Sequence, residues 1–539
     1  MTEQAVPQPP LQAAKADPAA AKPLRRLNAT RADLIAALLS YPIAYAYVRL
    51  LFLGGYAWGL LAFSLLFLAG TEVYFRARGR RGASRESRFF ALCLLLTALA
   101  RALFHGQTVA GYDMLFAHAL ACYVVLDRAG LLTGGEAGPF APLDLISAAV
   151  IVPLSNFVLR ARLLAAWLSN RRARREAAGK AKGVAVLLAG LAGLALFFLA
   201  ARILSRADPF FGERIGSFFG FELRLDGIVW GSLVLSVPVG SYLFGLTGGA
   251  LQRERPPFSA VAVRASAERL RAVPDGVAAG VLAAFAALYA LFFAFQGSYL
   301  FGALRGALPA GFTAAEYARQ GFFELCEIVA LNFLLLTACA KTVKTPLREH
   351  AALRALSLTL LACSLLFALV AGSKMALYVT RFGLTQSRIL ASFFMLVLSL
   401  LTCLAAADIL RPFRAVRAGL LLTALLFALL CLSDPDARII DVNLAQYARG
   451  TVHTLDVEYL AEECGAREDP VKFYRQLAEA GYFDAPRTAD ELRVAFGQAR
   501  IAKLPDGTLR HTWAGPRGGA VSAVVQNGSV VSIGPAEGR

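Results

Sequence analysis

Apolar residues run in blocks along this chain as far as Leu432, and each block is closed by arginines, lysines or a Gly/Pro turn. A helix that crosses a bilayer needs roughly 20 mostly apolar residues, and the blocks 56–75, 183–201, 276–295 and 389–409 have that length. The whole pattern predicts about eleven spans. They fall at 33–53, 56–75, 89–104, 109–126, 183–201, 228–246, 276–295, 322–339, 355–371, 389–409 and 416–432. One further block, 144–169, is apolar but broken by Pro153 and studded with Asn156, Arg160 and Arg162. An interfacial helix or a re-entrant pair is expected there rather than a crossing.

After Leu432 the pattern changes. Residues 455–464 and 470–481 read as amphipathic helices, the second with Phe473, Leu477 and Ala480 at helical spacing. Thr488 followed by Glu491 predicts a capped third helix over 488–499. Asp506-Gly507 and Asn527-Gly528 are favoured two-residue turns, so 500–513 and 521–533 read as hairpins. The fold class is an all-α polytopic membrane protein with a small α+β extramembrane domain. Three regions follow: a disordered tail over 1–28, a helical bundle over 29–432, and a C-terminal domain over 433–539.

Composition agrees: 57% of residues are hydrophobic and the mean hydropathy is +0.56. The formal charge of +18 suggests nucleic acid at first sight, but the cations lie in short connections between apolar blocks. Lys and Arg enrichment marks cytoplasmic loops, and here every second connection is basic, among them 76–88, 171–182, 253–271 and 411–417. The partner implied is the lipid bilayer and not nucleic acid. The same alternation places the N-terminus inside and the C-terminal domain outside, where it could meet an envelope protein.

Chemistry is sparse. No phosphate loop, HExxH helix or nucleophile elbow occurs, and no cofactor or metal is expected. The five histidines do not pair at ligand spacing; His118 falls mid-span, as a hydrogen-bonded core residue or a proton relay. Of eight cysteines only Cys464 lies in the C-terminal domain, so no disulfide framework is implied. What remains is a set of charges near the outer helix ends: Arg49, Arg101, Asp113, Glu324 and Glu327. Ionisable groups at membrane depth usually face the bundle interior or pair with opposite charge. Glu324 and Glu327, spaced i, i+3, are therefore expected to face inward and to pair with Arg49 or Arg101. The alternatives are snorkelling arginines and interfacial carboxylates. An identical hexapeptide, GSYLFG, also ends the blocks at 240–245 and 297–302. It fits either an inverted repeat or a shared helix-end vocabulary.

The stretches AEYARQGFFELCEIVALNFLLL (315–336), SKMALYVTRFGLTQSRILA (from Ser373) and DPDARIIDVNLAQYARGTVHTLDVEYL (from Asp434) carry a resemblance, joined by SRADPFF at 205–211 and DLISAAVIVPLSNF at 144–157. Together the chain resembles a bacterial multi-pass membrane family, the domain of unknown function 4173, a relative of the family numbered 4153. The resemblance covers roughly residues 30–465 and implies an inner-membrane protein of unassigned activity. The family's Asn-Pro-Asp stands here as Asp434-Pro435-Asp436. The motif residues cluster on the outer side: Asp208, Arg319, Asp434, Pro435, Asp436 and Asn443. An outward-facing polar site in a sensory, scaffold or accessory protein is the favoured reading. A secondary transporter and an envelope lipid or glycan transferase remain the alternatives.

Overall fold

The structure is a computed structural model that describes residues 30–53, 57–80, 82–176, 227–300, 322–516 and 519–536. The expected span at 183–201, the motif at 205–211, Asp208 and Arg319 lie outside the described residues. Helix α1 (Arg31–Tyr47) starts on a capping box between Thr30 and Asp33, and its wide-turn extension Val48–Leu53 carries it to the far end of the bundle. There follow α2 (Gly59–Ala77), α3 (Arg85–Phe104), α4 (Tyr112–Arg128), α5 (Ala141–Ile146), α6 (Val152–Ser155), α7 (Leu159–Glu176) and α8 (Gly227–Leu251). The second half is built from α9 (Ala260–Arg269), α10 (Asp275–Leu300), α11 (Phe322–Thr342), α12 (Ala351–Phe382) and α13 (Gln386–Leu410), and α14 (Ala415–Leu432) closes the bundle. Among the described residues, ten helices are long and apolar enough to cross a membrane.

The apolar faces bury into two cores. Residues such as Phe75, Leu94, Val125 and Phe244 form the first, from α1–α4, the 141–168 segment, α8 and the returning α14. Leu282, Val329, Leu360 and Phe367 anchor the second, from α10–α13. The basic end of the first half is tied by ion pairs. Asp33, wholly buried, accepts from Tyr74 at 2.6 Å and faces Arg78 at 3.2 Å. Glu86 meets Arg417 of α14 at 2.5 Å. Helix α12 runs eleven residues past the expected end at Ala371, because SKMALYVTRF has no breaker before Gly383.

The segment Ala141–Leu168 qualifies as a span by length and apolarity, yet it is not one straight helix. A wide turn over Ser147–Ile151 and a break at 156–158 divide it. Ala149 O accepts from Tyr242, about three turns short of the basic end of α8, while Ser155 is bonded by Arg253 at that end. Past the break, Arg160 donates to Val237 O at 3.1 Å and reaches Ser40, so the segment packs along α8 from Arg253 to Val237. Gly240 and Gly245, both in the first GSYLFG copy, make the approach possible. A Cβ on either would come within 2.5 Å of Arg160 or of Pro153 O. The second copy runs out of the described residues.

The C-terminal region folds as expected, with one addition. Helix α15 (Pro435–Ala448), capped by Asp434, precedes α16 (Val457–Glu462), α17 (Pro470–Glu479) and α18 (Ala489–Phe496). The Thr488–Glu491 capping box opens α18. Strands β1 (Arg500–Lys503), β2 (Leu509–Ala514), β3 (Ala520–Gln526) and β4 (Ser529–Pro535) form an antiparallel meander in sequence order. Trp513, 2% exposed, packs with Phe473, Leu492 and Phe496 between the sheet and the helices. Leu384 of the α12–α13 connection and Ile389 of α13 join this core, so the domain is seated on the bundle.

Candidate functional site

The connection between α3 and α4 builds the site. His105, in the left-handed conformation at φ 59°, ends α3, and Gly111, at φ 83°, admits α4. Between them the chain turns its amides toward α15. Asp436, 5% exposed, accepts from the N–H groups of Gln107 and Thr108, the latter at 3.1 Å, and from the Thr108 hydroxyl. No partner for Asp436 is legible in the sequence; its donors are two backbone amides and one hydroxyl of a loop without a motif, which no residue pattern announces.

Beneath this clamp Arg101 and Asp113 pair at 3.3 Å, and the guanidinium also donates to Gly106 O at 2.8 Å. The two face a cleft of about 250 Å³. His105, Gln107 and Glu468 add polar wall, and Leu50, Leu51, Leu60 and Met114 supply an apolar one. Glu468 comes from the C-terminal domain, just before α17. A smaller cavity of about 70 Å³ adjoins through His105, Gln107 and Glu468 and is edged by Asp434, Asp436 and Lys472. Cys464 also borders it, but burial pushes its thiol up to about 12, which keeps it protonated and unreactive.

The predicted residues are thus distributed unevenly. Arg101, Asp113, Asp434 and Asp436 converge on the seam. Pro435 starts α15 at the position where its missing N–H costs nothing. Half-buried Arg49 stands in the wide turn whose next residues, Leu50 and Leu51, wall the cleft. Asn443 plays another part. Its side chain accepts from Leu384 N–H and donates to Leu384 O, fastening the α12–α13 connection to α15. One helix therefore holds both halves of the bundle.

Glu324 and Glu327 depart from the expectation. The inward stripe of α11 is Leu325, Val329, Asn332 and Leu336, which leaves both carboxylates on an exposed face among the described residues. Arg101 takes Asp113 instead, and the cation in electrostatic reach of Glu324 is Lys374 of α12. Lys374 is 1% exposed and ranks among the largest fully buried side chains. Sequence reasoning passed over it although it lies inside the SKMALYV motif. The signal was a single cation well within an otherwise apolar helix. Deeper in the same half, Tyr289 donates to Asn332 at 2.7 Å and Asn332 to Ser364 at 2.9 Å, a closed polar chain.

In comparison with known proteins, the family model described as the domain of unknown function DUF4153 matches residues 89–471, a range that includes Arg101, Asp113, Asp436 and Glu468 of the site. No curated protein and no solved structure matches the chain.

Proposed function

The chain belongs to the DUF4153 family, membrane proteins of unassigned activity, and on that premise we propose a sensory or accessory role in the bacterial cell envelope. In this reading the protein sits in the inner membrane with the seam outward, and the C-terminal domain registers the state of the cleft. The observation that carries it is the shared wall. Glu468 of the C-terminal domain lines the same cavity as Arg101 and Asp113 of the bundle, so a ligand bound there touches both. The outward orientation is supported by the Lys/Arg bias at the opposite helix ends.

Two measurements test the reading. A phosphatase reporter fused after Arg539 should be active on the periplasmic side, and strong activity of a cytoplasmic reporter at that position overturns the orientation. Arg101→Gln should raise amide exchange across 457–484 in the full-length protein, as the cleft loses its cation. Unchanged exchange there overturns the coupling of cleft to domain.

A further inference from the structure

The pair formed by Arg101 and Asp113 keeps hydrogen-bonding capacity on both sides. Arg101 meets Asp113 Oδ2 at 3.3 Å and donates to Gly106 O at 2.8 Å through one nitrogen, Nη1. The donors on Nε and Nη2 take part in neither contact. Asp113 is 2% exposed, and among the described residues its buried Oδ2 accepts no hydrogen bond. Glu468, on the C-terminal wall of the same cleft, sets a second carboxylate against the arginine. The lining thus offers an anion site beside a cation site, with negative charge in surplus.

A second wall is apolar and lies at the edge of the bilayer. Leu50 and Leu51 stand in the wide turn that extends α1, and Phe52 and Leu53, next in that turn, are exposed. Trp58 and Tyr112 are exposed as well, and each adjoins a lining residue, Ala57 and Gly111. Tryptophan and tyrosine gather at membrane–water interfaces, which puts the mouth of the cleft at head-group depth. Its volume of about 250 Å³ falls below the roughly 300–1,000 Å³ of pockets that enclose a drug-sized ligand. A head group fits there while its acyl chains stay in the bilayer, against Phe52 and Leu53.

Resting on the reading of this cleft as a ligand site, we propose that its ligand is a phospholipid with a primary amine in the head group, ethanolamine phosphate. Arg101 donates from Nε and Nη2 to the phosphate oxygens, the forked contact that a guanidinium makes with phosphate. The ammonium donates to Asp113 Oδ2 and to Glu468, and so answers the surplus negative charge. A short two-carbon link separates the charges of the head group, which lets one molecule meet both members of the pair. A choline head group brings a cation without an N–H and leaves Asp113 Oδ2 without its hydrogen bond. A glycerol head group brings no cation and leaves the surplus charge unanswered.

The test titrates the delipidated full-length protein in detergent with short-chain lipids and follows binding by native mass spectrometry. Phosphatidylethanolamine should bind at least about tenfold more tightly than phosphatidylcholine or phosphatidylglycerol, as a lost hydrogen bond to a charged group predicts. Glu468→Gln should reduce that preference, and thermal melting of the lipid-free variant separates lost binding from lost folding. Free ethanolamine phosphate, the same chemistry without acyl chains, should compete only weakly. Binding of the free compound as tight as that of the lipid would make the ligand a soluble aminophosphate and overturn the lipid. Equal affinity for the three lipids, or a preference undiminished in Glu468→Gln, also overturns it. If the lipids bind equally while Arg101→Gln still raises exchange across 457–484, the lipid falls and the coupling of cleft to domain stands. Selective binding that leaves exchange across 457–484 unchanged at saturation upholds the lipid and overturns the coupling.

Discussion

Asp436 and Thr108 stand 328 positions apart, yet Thr108 gives the carboxylate both its backbone N–H, at 3.1 Å, and its hydroxyl. This bond closes the C-terminal region onto the α3–α4 connection and sets the roof of the cleft. Asp436→Asn turns two amide hydrogens toward groups that are themselves donors. It should lower the stability of the docked state by about 1–3 kcal/mol, read as faster proteolysis of 449–456 in the intact protein.

The same contact carries a pH dependence. Burial is the dominant influence on Asp436 and holds its carboxyl above the usual aspartate range, against the pull of the Thr108 and Gln107 donors. A carboxyl raised in the folded state contributes fully below its unfolded value of about 4, and the contribution is lost as pH climbs through the folded value. Protection of the amides at 105–111, taken against the intrinsic exchange rate at each pH, should therefore be greatest in mild acid and should fall as pH rises. Asp436→Asn should flatten that profile, and an identical profile in the variant removes Asp436 as its source.

The pair formed by Arg101 and Asp113 gives a second prediction. Asp113 is 2% exposed, while Arg101 retains contact with solvent, so removing Arg101 strands a buried carboxylate. Arg101→Gln should cost about 3 kcal/mol, the low end for a broken buried pair, and Asp113→Asn less. The double change should be milder than the sum of the two in detergent thermal melts, because the sites interact directly. Additive losses would mean that the pair contributes nothing as a pair.

How much of this was legible in the sequence depends on the range of the interaction. Nine of the eleven expected spans, the Thr488–Glu491 cap and both Gly-containing turns are local, and their residues announce them. The block expected at 109–126 is not among the ten candidate spans of the described residues, while Ala141–Leu168, not expected to cross, is. The fate of Glu324 was not legible. Hydropathy gives depth along a helix but not which face turns inward, and the stripe from Leu325 to Leu336 decides that only against its neighbours. Asp436 was picked from a motif, while its partners, two amides at Gln107 and Thr108, leave no side-chain signature. The break in 144–169 was readable from Pro153 and Asn156, but its close approach to Gly245 and Gly249 needed the packing of α8.

A third prediction concerns Gly383. Its φ of +77° is one that a side chain resists, and a Cβ there would lie 1.9 Å from Asn443 Oδ1. Gly383→Ala must expel Asn443 from Leu384 and so loosen α15 from the α12–α13 connection. Stability should fall by more than the ~1 kcal/mol of backbone strain alone. Adding Asn443→Ala should recover part of the loss. If the double variant is no better than Gly383→Ala, the clash is not the cause.

The last prediction separates burial from charge at Lys374. The side chain fills a fully buried position in the second core, with Glu324 the carboxylate in electrostatic reach. If the position serves stability alone, an apolar residue of similar length should serve as well, since buried ion pairs are often no better than well-packed hydrophobic replacements. Lys374→Met should then melt within about 1 kcal/mol of the wild type or above it. Lys374→Ala should lose about 2–4 kcal/mol by opening a cavity. Glu324→Gln should be costly in the wild-type background and nearly silent in Lys374→Met, because the cation it answers is gone. Equal losses in both backgrounds would detach Glu324 from Lys374. A Lys374→Met protein that is stable but inactive, once an activity is in hand, would move this lysine from the packing of the second core into its function.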